Sequence, residues 1–219
     1  MEYLIEKTRD GSHTLYIPDL NERFHSIHGA ITESNHVFIK AGMEYINKKE
    51  INLFEVGFGA GLNTLLTFLY ATQKKFRVNY KTIDLYPLDK EIIKKLNFSD
   101  LLGISNSTFL SFHYLQWDVP HRLNNSFIFH KIKGDILTSI LTGKFDLIYF
   151  DAFGPEIQPE LWEENIFEKM FSILKTNGVL TTYSAKGKVK RALKKVGFFV
   201  ECIPGPPGKR EMTRAIKLQ

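Results

Sequence analysis

From residue 51 onward, short apolar runs alternate with segments whose apolar positions recur at helical spacing, and this alternation predicts a doubly wound α/β sheet. Strands are expected at 51–56, 77–83, 127–133, 145–150, 179–183, 198–203 and 212–217, with a first helix from Leu62 to Thr72. The runs Ile51 to Val56 and Phe145 to Phe150 are largely apolar, as strands covered on both faces are. No helical pattern separates the last two strands. Only Pro204-Gly205-Pro206-Pro207-Gly208 joins them, which calls for an antiparallel pair at one edge of the sheet. The expected core is therefore a seven-stranded sheet whose last strand runs antiparallel to the other six.

Residues 1–50 precede this pattern and are expected to form an N-terminal extension packed on the core. Within it, 14–17 reads as a short strand and 33–47 as a helix with Thr32 as its cap. The stretch 97–126, rich in Asn, Ser and aromatic residues, reads as an insertion without an assignable element. No linker composition interrupts 51–219, so the extension and the main α/β domain are expected to form one structural unit.

Composition narrows the class. With 219 residues, 43% of them hydrophobic, the chain can bury a sizeable core. No apolar run approaches the roughly 20 residues that cross a bilayer, and Met-Glu-Tyr begins no signal pattern, so a cytoplasmic protein without a membrane partner is expected. The single cysteine, Cys202, excludes an internal disulfide and reads as a small core residue. Net charge is +5, but from Lys186 to Gln219 ten Lys and Arg stand against two carboxylates, and the rest of the chain is mildly acidic. Such a local surplus is either a solvated helix face or the footprint of a polyanion such as RNA. Of the seven histidines only His25 and His28 are close in sequence, and no cysteine or carboxylate cluster completes a metal site, so no metal is expected.

The candidate chemistry begins at Glu55-Val56-Gly57-Phe58-Gly59-Ala60-Gly61-Leu62-Asn63, where an apolar strand meets a helix through a loop with glycine at 57, 59 and 61. Such a loop brings backbone close to a nucleotide-like cofactor at the carboxyl edge of a parallel sheet. A dinucleotide loop wants a third glycine where this chain has Leu62, and no Lys or Arg lies between Glu50 and Thr72 to balance a pyrophosphate. Glu55 instead suits a cationic ligand. S-adenosylmethionine carries an ammonium and a sulfonium and no phosphate, and it keeps ribose hydroxyls that Asp84, at the end of the next strand, is placed to grip. Asp84 is otherwise a turn or cap residue. After strand 127–133, Gly134-Asp135 stands where an adenine amino group is recognised, or forms a plain turn.

A second motif closes strand 145–150 with Asp151-Ala152-Phe153-Gly154-Pro155. It resembles the layout with which amine-directed methyltransferases hold a target nitrogen beside the cofactor, making Asp151 the candidate catalytic residue, with helix capping as the weaker reading. After strand 179–183, Tyr183 and Ser184 are candidates for the substrate side. Lys186 and Lys188 are either phosphate contacts or solvated lysines.

Taken together, four stretches resemble the family of methyltransferases that complete 5-methylaminomethyl-2-thiouridine at the wobble position of tRNA. They are Phe24-His25-Ser26 with Gly29-Ala30 and Glu33-Ser34-Asn35-His36-Val37-Phe38; Glu55 through Asn63; Asp151 through Pro155; and Tyr183 through Gly187 with Pro204-Gly205-Pro206-Pro207-Gly208-Lys209-Arg210-Glu211-Met212. The resemblance implies a Rossmann-like class I fold and S-adenosylmethionine held by Glu55, Gly57, Gly59, Gly61, Asn63, Asp84 and Asp135. It also implies an aminomethyl-uridine in tRNA, with Phe153, Tyr183, Ser184, Lys186, Lys188, Lys209 and Arg210 on the substrate side. In many members this domain is fused to a flavin-dependent oxidase. This chain ends at Gln219 without that segment, so it resembles the stand-alone form, with no FAD and with the aminomethyl group supplied by separate upstream enzymes. Two rival classes stay open, a small-molecule amine transferase of the same fold and a nicotinamide-binding oxidoreductase.

Overall fold

The computed structural model describes residues 2–218. Among the described residues, eleven strands form two sheets. The smaller is antiparallel and N-terminal: β1 (Leu4–Lys7) pairs with β2 (His13–Ile17), and β2 with β3 (Glu22–Arg23). A continuous helix over 30–46 follows, with a π-helical middle from Asn35 to Met43. It starts earlier than its periodicity suggested and has Gly29, not Thr32, at its N-cap. Thr32 lies inside the first turn, and both its amide and its hydroxyl donate to Asp10 Oδ2, at 2.9 and 2.8 Å.

The large sheet contains β4 (Glu50–Val56), β5 (Arg77–Asp84), β6 (Pro120–Asn124), β7 (Phe127–Lys133), β8 (Phe145–Phe150), β9 (Leu174–Thr182), β10 (Phe199–Pro204) and β11 (Glu211–Ile216), in the order β10-β11-β9-β8-β4-β5-β7-β6. It therefore has eight strands rather than seven. The extra strand is β6, which folds back antiparallel on β7 as the outer edge and comes from the 97–126 stretch. That stretch also supplies two short helices, Phe98–Leu101 and Asn106–Tyr114. β11 runs antiparallel to both β10 and β9, so the reversed strand is inserted beside the edge strand β10.

Side chains alternate between the two faces of the sheet and build a core on each. Leu53, Tyr80, Leu147 and Tyr149 face one cluster, which also takes in Leu15, Val37 and Phe38 from the first 50 residues and the helix Leu62–Lys74. Phe54, Val56, Ile148 and Phe150 face the other, covered by the helices Glu164–Ile173 and Gly187–Val196. Burial on both faces explains the apolar runs of β4 and β8. Cys202 departs from its expectation. On the edge strand β10 it is exposed, its thiol donating to Glu211 Oε2 at 2.8 Å.

The chain leaves β4 for β5 on one side and reaches β8 on the other, so β4 lies at the topological switch. Carboxyl ends of strands at such a point open a crevice for ligands. Backbone bonds bring three ends to one level: Gly57 N–H donates to Ile83 O at 3.0 Å, Asp151 N–H to Val56 O at 3.0 Å, and Gly134 N–H to Asp84 O at 3.0 Å.

Candidate active site

Above those strand ends lies a cavity of about 520 Å³. Its floor is the loop Gly57-Phe58-Gly59, and Gly57 is indispensable there. Its φ is +91°, and a Cβ would come within 2.6 Å of the Asp151 carbonyl oxygen. Next to the loop, Asp84 Oδ2 accepts from Gly59 N–H at 2.8 Å and Oδ1 from Tyr86 N–H at 2.8 Å. Burial nevertheless raises the Asp84 pKa, although those amide bonds oppose the rise. Asp135 lines the same end, its Oδ1 accepting from Leu137 N–H at 2.8 Å. Asp135 is thus both a turn residue and a wall residue. The buried Ile136 and its neighbour Leu137 give that end an apolar surface suited to a flat heterocycle.

At the other end, Asp151 Oδ2 accepts from Asn63 Nδ2 at 2.7 Å. Burial pushes the Asp151 carboxyl up to about 7, against the pull of the Asn63 hydrogen bond. Phe153 packs edge-on against Phe24 at 5.1 Å, and Tyr183 donates to Ala152 O at 2.8 Å. Lys209 Nζ sits 4.2 Å over the Tyr183 ring and pairs with Glu33 Oε1 at 2.8 Å, while Glu33 Oε2 accepts from Ser26 N–H at 2.8 Å. Phe24, His25 and Glu33 also line the cavity, and nothing in the first 50 residues betrays which side chains a distant sheet edge will meet. Burial lowers His25 to about 4, so its ring is neutral against the cavity wall.

Six expected site residues do not line the cavity. Gly61 faces away from it, where a Cβ would strike His113 Nε2 at 2.8 Å. Ser184 is buried, its carbonyl accepting from Thr213 Oγ1 at 2.6 Å. Lys186 and Lys188 are exposed and pair with Glu156 at 2.7 Å and Glu163 at 2.8 Å. Arg210 is exposed beside the wall residue Lys209. Glu55 is fully buried beneath the loop, and burial raises it to about 8, so it keeps its proton at neutrality and supplies no charge to a ligand.

The acidity inferred from Glu55 has another source. Glu22, Glu33, Asp84, Asp135, Asp151 and Glu160 line the cavity, whereas Arg23 and Lys209 are the basic side chains there among the described residues. Arg23 is tied to Glu6 at 2.6 Å and Lys209 to Glu33. A cationic ligand is favoured in this lining, and a pyrophosphate meets uncompensated carboxylates.

Glu55 also makes stability depend on pH. A carboxyl raised from 4.5 to about 8 on folding holds a proton that the unfolded chain releases, so its effect is a loss of stability as pH rises through that window. The slope is about 1.4 kcal/mol per pH unit for one proton. Glu55→Gln should remove this contribution, so its stability advantage over wild type in urea unfolding widens from acidic to neutral pH. An identical pH dependence for the two proteins contradicts a buried neutral Glu55.

Fold and cavity are those of a class I S-adenosylmethionine-dependent methyltransferase. Residues 115–218 match the family described as S-adenosyl-L-methionine-dependent methyltransferase. Along most of its length the chain is similar to MnmC proteins. It is 31% identical over 214 residues to the tRNA 5-methylaminomethyl-2-thiouridine biosynthesis bifunctional protein MnmC of Leptospira interrogans, an alignment that covers 88% of this chain and 33% of that one. The crystal structure of MnmC2 from Aquifex aeolicus matches with a TM-score of 0.75 at 26% identity, covering 100% of this chain and 71% of the other. Spermidine synthase from Thermotoga maritima, at 12% identity and a TM-score of 0.59, shares the fold alone. The chain spans about a third of the length of the curated relatives it matches.

Proposed function

We propose that this protein transfers a methyl group from S-adenosylmethionine to the 5-aminomethyl nitrogen of a wobble uridine in tRNA. The observation that carries the reading is Asp151, whose carboxyl, raised to about 7, stands at a strand end beside the glycine loop in an acidic cavity. The similarity to MnmC proteins supports the substrate. When bound, S-adenosylmethionine supplies an electrophilic methyl group on a sulfonium.

The chain's own residues do the rest. Gly57 and Gly59 give the cofactor's backbone-lined seat, Asp84 takes the ribose hydroxyls, and Ile136 and Leu137 flank the adenine with Asp135 at its edge. A primary amine resembles a lysine side chain and is mostly protonated near neutrality, so it must lose a proton before it can act as a nucleophile. Asp151 receives that proton at a carboxylate oxygen and orients the nitrogen, while Asn63 holds the carboxylate in place. Phe24, Phe153 and Tyr183 wall the space in front of Asp151, where Phe153 stacks on the extruded base. Such a contact is worth about 1–3 kcal/mol.

Asp84→Ala should weaken S-adenosylhomocysteine binding by roughly 1–3 kcal/mol, the usual cost of losing hydrogen bonds to a charged group. Titration calorimetry reads this directly, and unchanged affinity removes Asp84 from the site.

Contacts to the tRNA backbone fall to the start of the helix Gly187–Val196. The pairs of Lys186 and Lys188 are exposed ones, worth about 0–1 kcal/mol, so phosphate can replace their carboxylate partners. Substituting Lys186, Lys188 and Arg191 together by Ala should weaken tRNA binding and flatten the logarithmic salt dependence by about 0.7–0.9 per lost contact. A slope equal to that of wild type makes this helix an ordinary solvated face. The reading as a whole is tested by offering labelled cofactor to tRNA and to free polyamines in parallel. Methyl transfer to tRNA supports it, and turnover of a polyamine but not of RNA moves the protein to the small-molecule class.

A further inference from the structure

Beneath the glycine loop lies a buried acid, Glu55, to which methyl transfer gives no direct task. Glu55 is fully buried on β4, and its Oε1 has no hydrogen-bond partner. Its other oxygen is approached by Thr64 Oγ1 at 3.5 Å, a marginal distance. The Asn63 amide reaches both Glu55 and Asp151. Its Nδ2 is committed to Asp151 Oδ2 at 2.7 Å, whereas its Oδ1 is buried without a partner.

An amide whose nitrogen faces Asp151 turns its oxygen to the remaining neighbour, and a carboxylate there would confront oxygen with oxygen. The hydroxyls of Tyr80 and Thr82, also buried without other partners, can donate to Glu55, but Asn63 Oδ1 can only accept, so a proton carried by Glu55 is what satisfies it. The titratable groups around Glu55 are Asp151, Tyr80 and Tyr149, none of them a cation that would hold it as an anion. Burial therefore dominates, as it does for other carboxyls in apolar surroundings.

We propose that Glu55 is a neutral carboxylic acid that donates a hydrogen bond to Asn63 Oδ1 and so fixes the Asn63 amide with its nitrogen toward Asp151. Glu55 is then a positioning residue acting through Asn63, not a cofactor contact. The inference rests on the reading of Asp151 as the group that receives the amine proton. It explains why a strand end beside a cationic ligand carries an acid that never reaches that ligand. In a buried relay each hydrogen bond polarises the next, so removing the donor at one end disturbs Asp151 at the other.

The test compares Glu55→Gln, which keeps a donor, with Glu55→Leu, which has none. Wild type minus Gln infrared difference spectra at neutral pH should show the carbonyl stretch of a protonated acid, whatever the activity. Glu55→Leu should lower kcat by up to about 10²-fold, the scale of a misplaced catalytic group, and shift the acid limb of its pH profile. Glu55→Gln should recover most of that loss, and both variants should bind S-adenosylhomocysteine as wild type does. Carboxylate bands alone in the infrared, a Gln variant as slow as Leu, or a tenfold loss of S-adenosylhomocysteine affinity in Gln would each overturn the proposal. If Leu does not fold, the spectrum and the Gln variant decide. A wild type inactive on tRNA strikes the functional reading, whereas the infrared band strikes or supports the Glu55 assignment by itself.

Discussion

Replacing Asp151 by Asn should lower kcat by about 10²–10⁴-fold, the range expected when a general base is lost, while fold and S-adenosylhomocysteine affinity stay as in wild type. The amide can still accept a hydrogen bond from the amine but cannot take its proton. The sign of the pH dependence follows from the direction of the shift. Burial raises the Asp151 carboxyl from 3.8 to about 7, so the proton-accepting form is absent in acid and accumulates as pH passes through that value. Wild-type kcat should therefore climb through neutrality. If Asp151 only orients, the residual rate of the Asn variant rises with pH in parallel with wild type as free amine accumulates. A proton-accepting role makes the variant recover disproportionately at high pH. Full activity of the Asn variant at neutral pH would remove Asp151 from catalysis.

The second large effect is expected at Gly57. Alanine there meets two penalties together, a φ of +91° and a Cβ 2.6 Å from the Asp151 backbone oxygen. Left-handed backbone in a residue other than glycine costs about 1–3 kcal/mol, and relieving the clash pushes the loop or Asp151 out of place. Gly57→Ala should accordingly lose both stability in urea unfolding and most of its cofactor affinity. Gly103 provides the control. Its φ is also positive, at +64°, but nothing lies within 4 Å of its Cβ, so Gly103→Ala should lose stability and keep cofactor affinity. Equal behaviour of the two variants would mean that backbone strain, rather than the approach of the loop to Asp151, fixes the need for glycine at 57.

Much of the sheet was legible because its central strands are buried on both faces. Ile51 to Val56 and Phe145 to Phe150 announce themselves by apolar content, and their carboxyl ends carry the glycine loop and Asp151. The edge strand β6 does not. Its Pro-His-Arg-Leu-Asn run is half-exposed and polar, held by pairing to β7, and no periodicity marks it. Cys202 misled for the related reason that an apolar neighbourhood in sequence became an exposed edge in space. At the site, types and spacing pointed to Asp84, Asp135, Asp151 and Tyr183, and the family resemblance to Phe153 and Lys209, all of which line the cavity. They could not say which way a side chain turns. Glu55 ends a buried strand, and the pleat aims it under the loop rather than at the ligand. The wall contributed by Phe24 and Glu33 depends on contacts across more than a hundred residues, such as the Glu33 pair with Lys209.

The measurement closest to the central claim is methyl transfer from labelled S-adenosylmethionine into tRNA taken from cells lacking this gene, followed by digestion to nucleosides and mass analysis. The account predicts label in one nucleoside, a wobble uridine whose 5-aminomethyl group has become 5-methylaminomethyl, and an initial rate of labelling about 10²–10⁴-fold lower with Asp151→Asn under the same conditions. Label in any other nucleoside, or none in tRNA while a free amine is methylated, would contradict it.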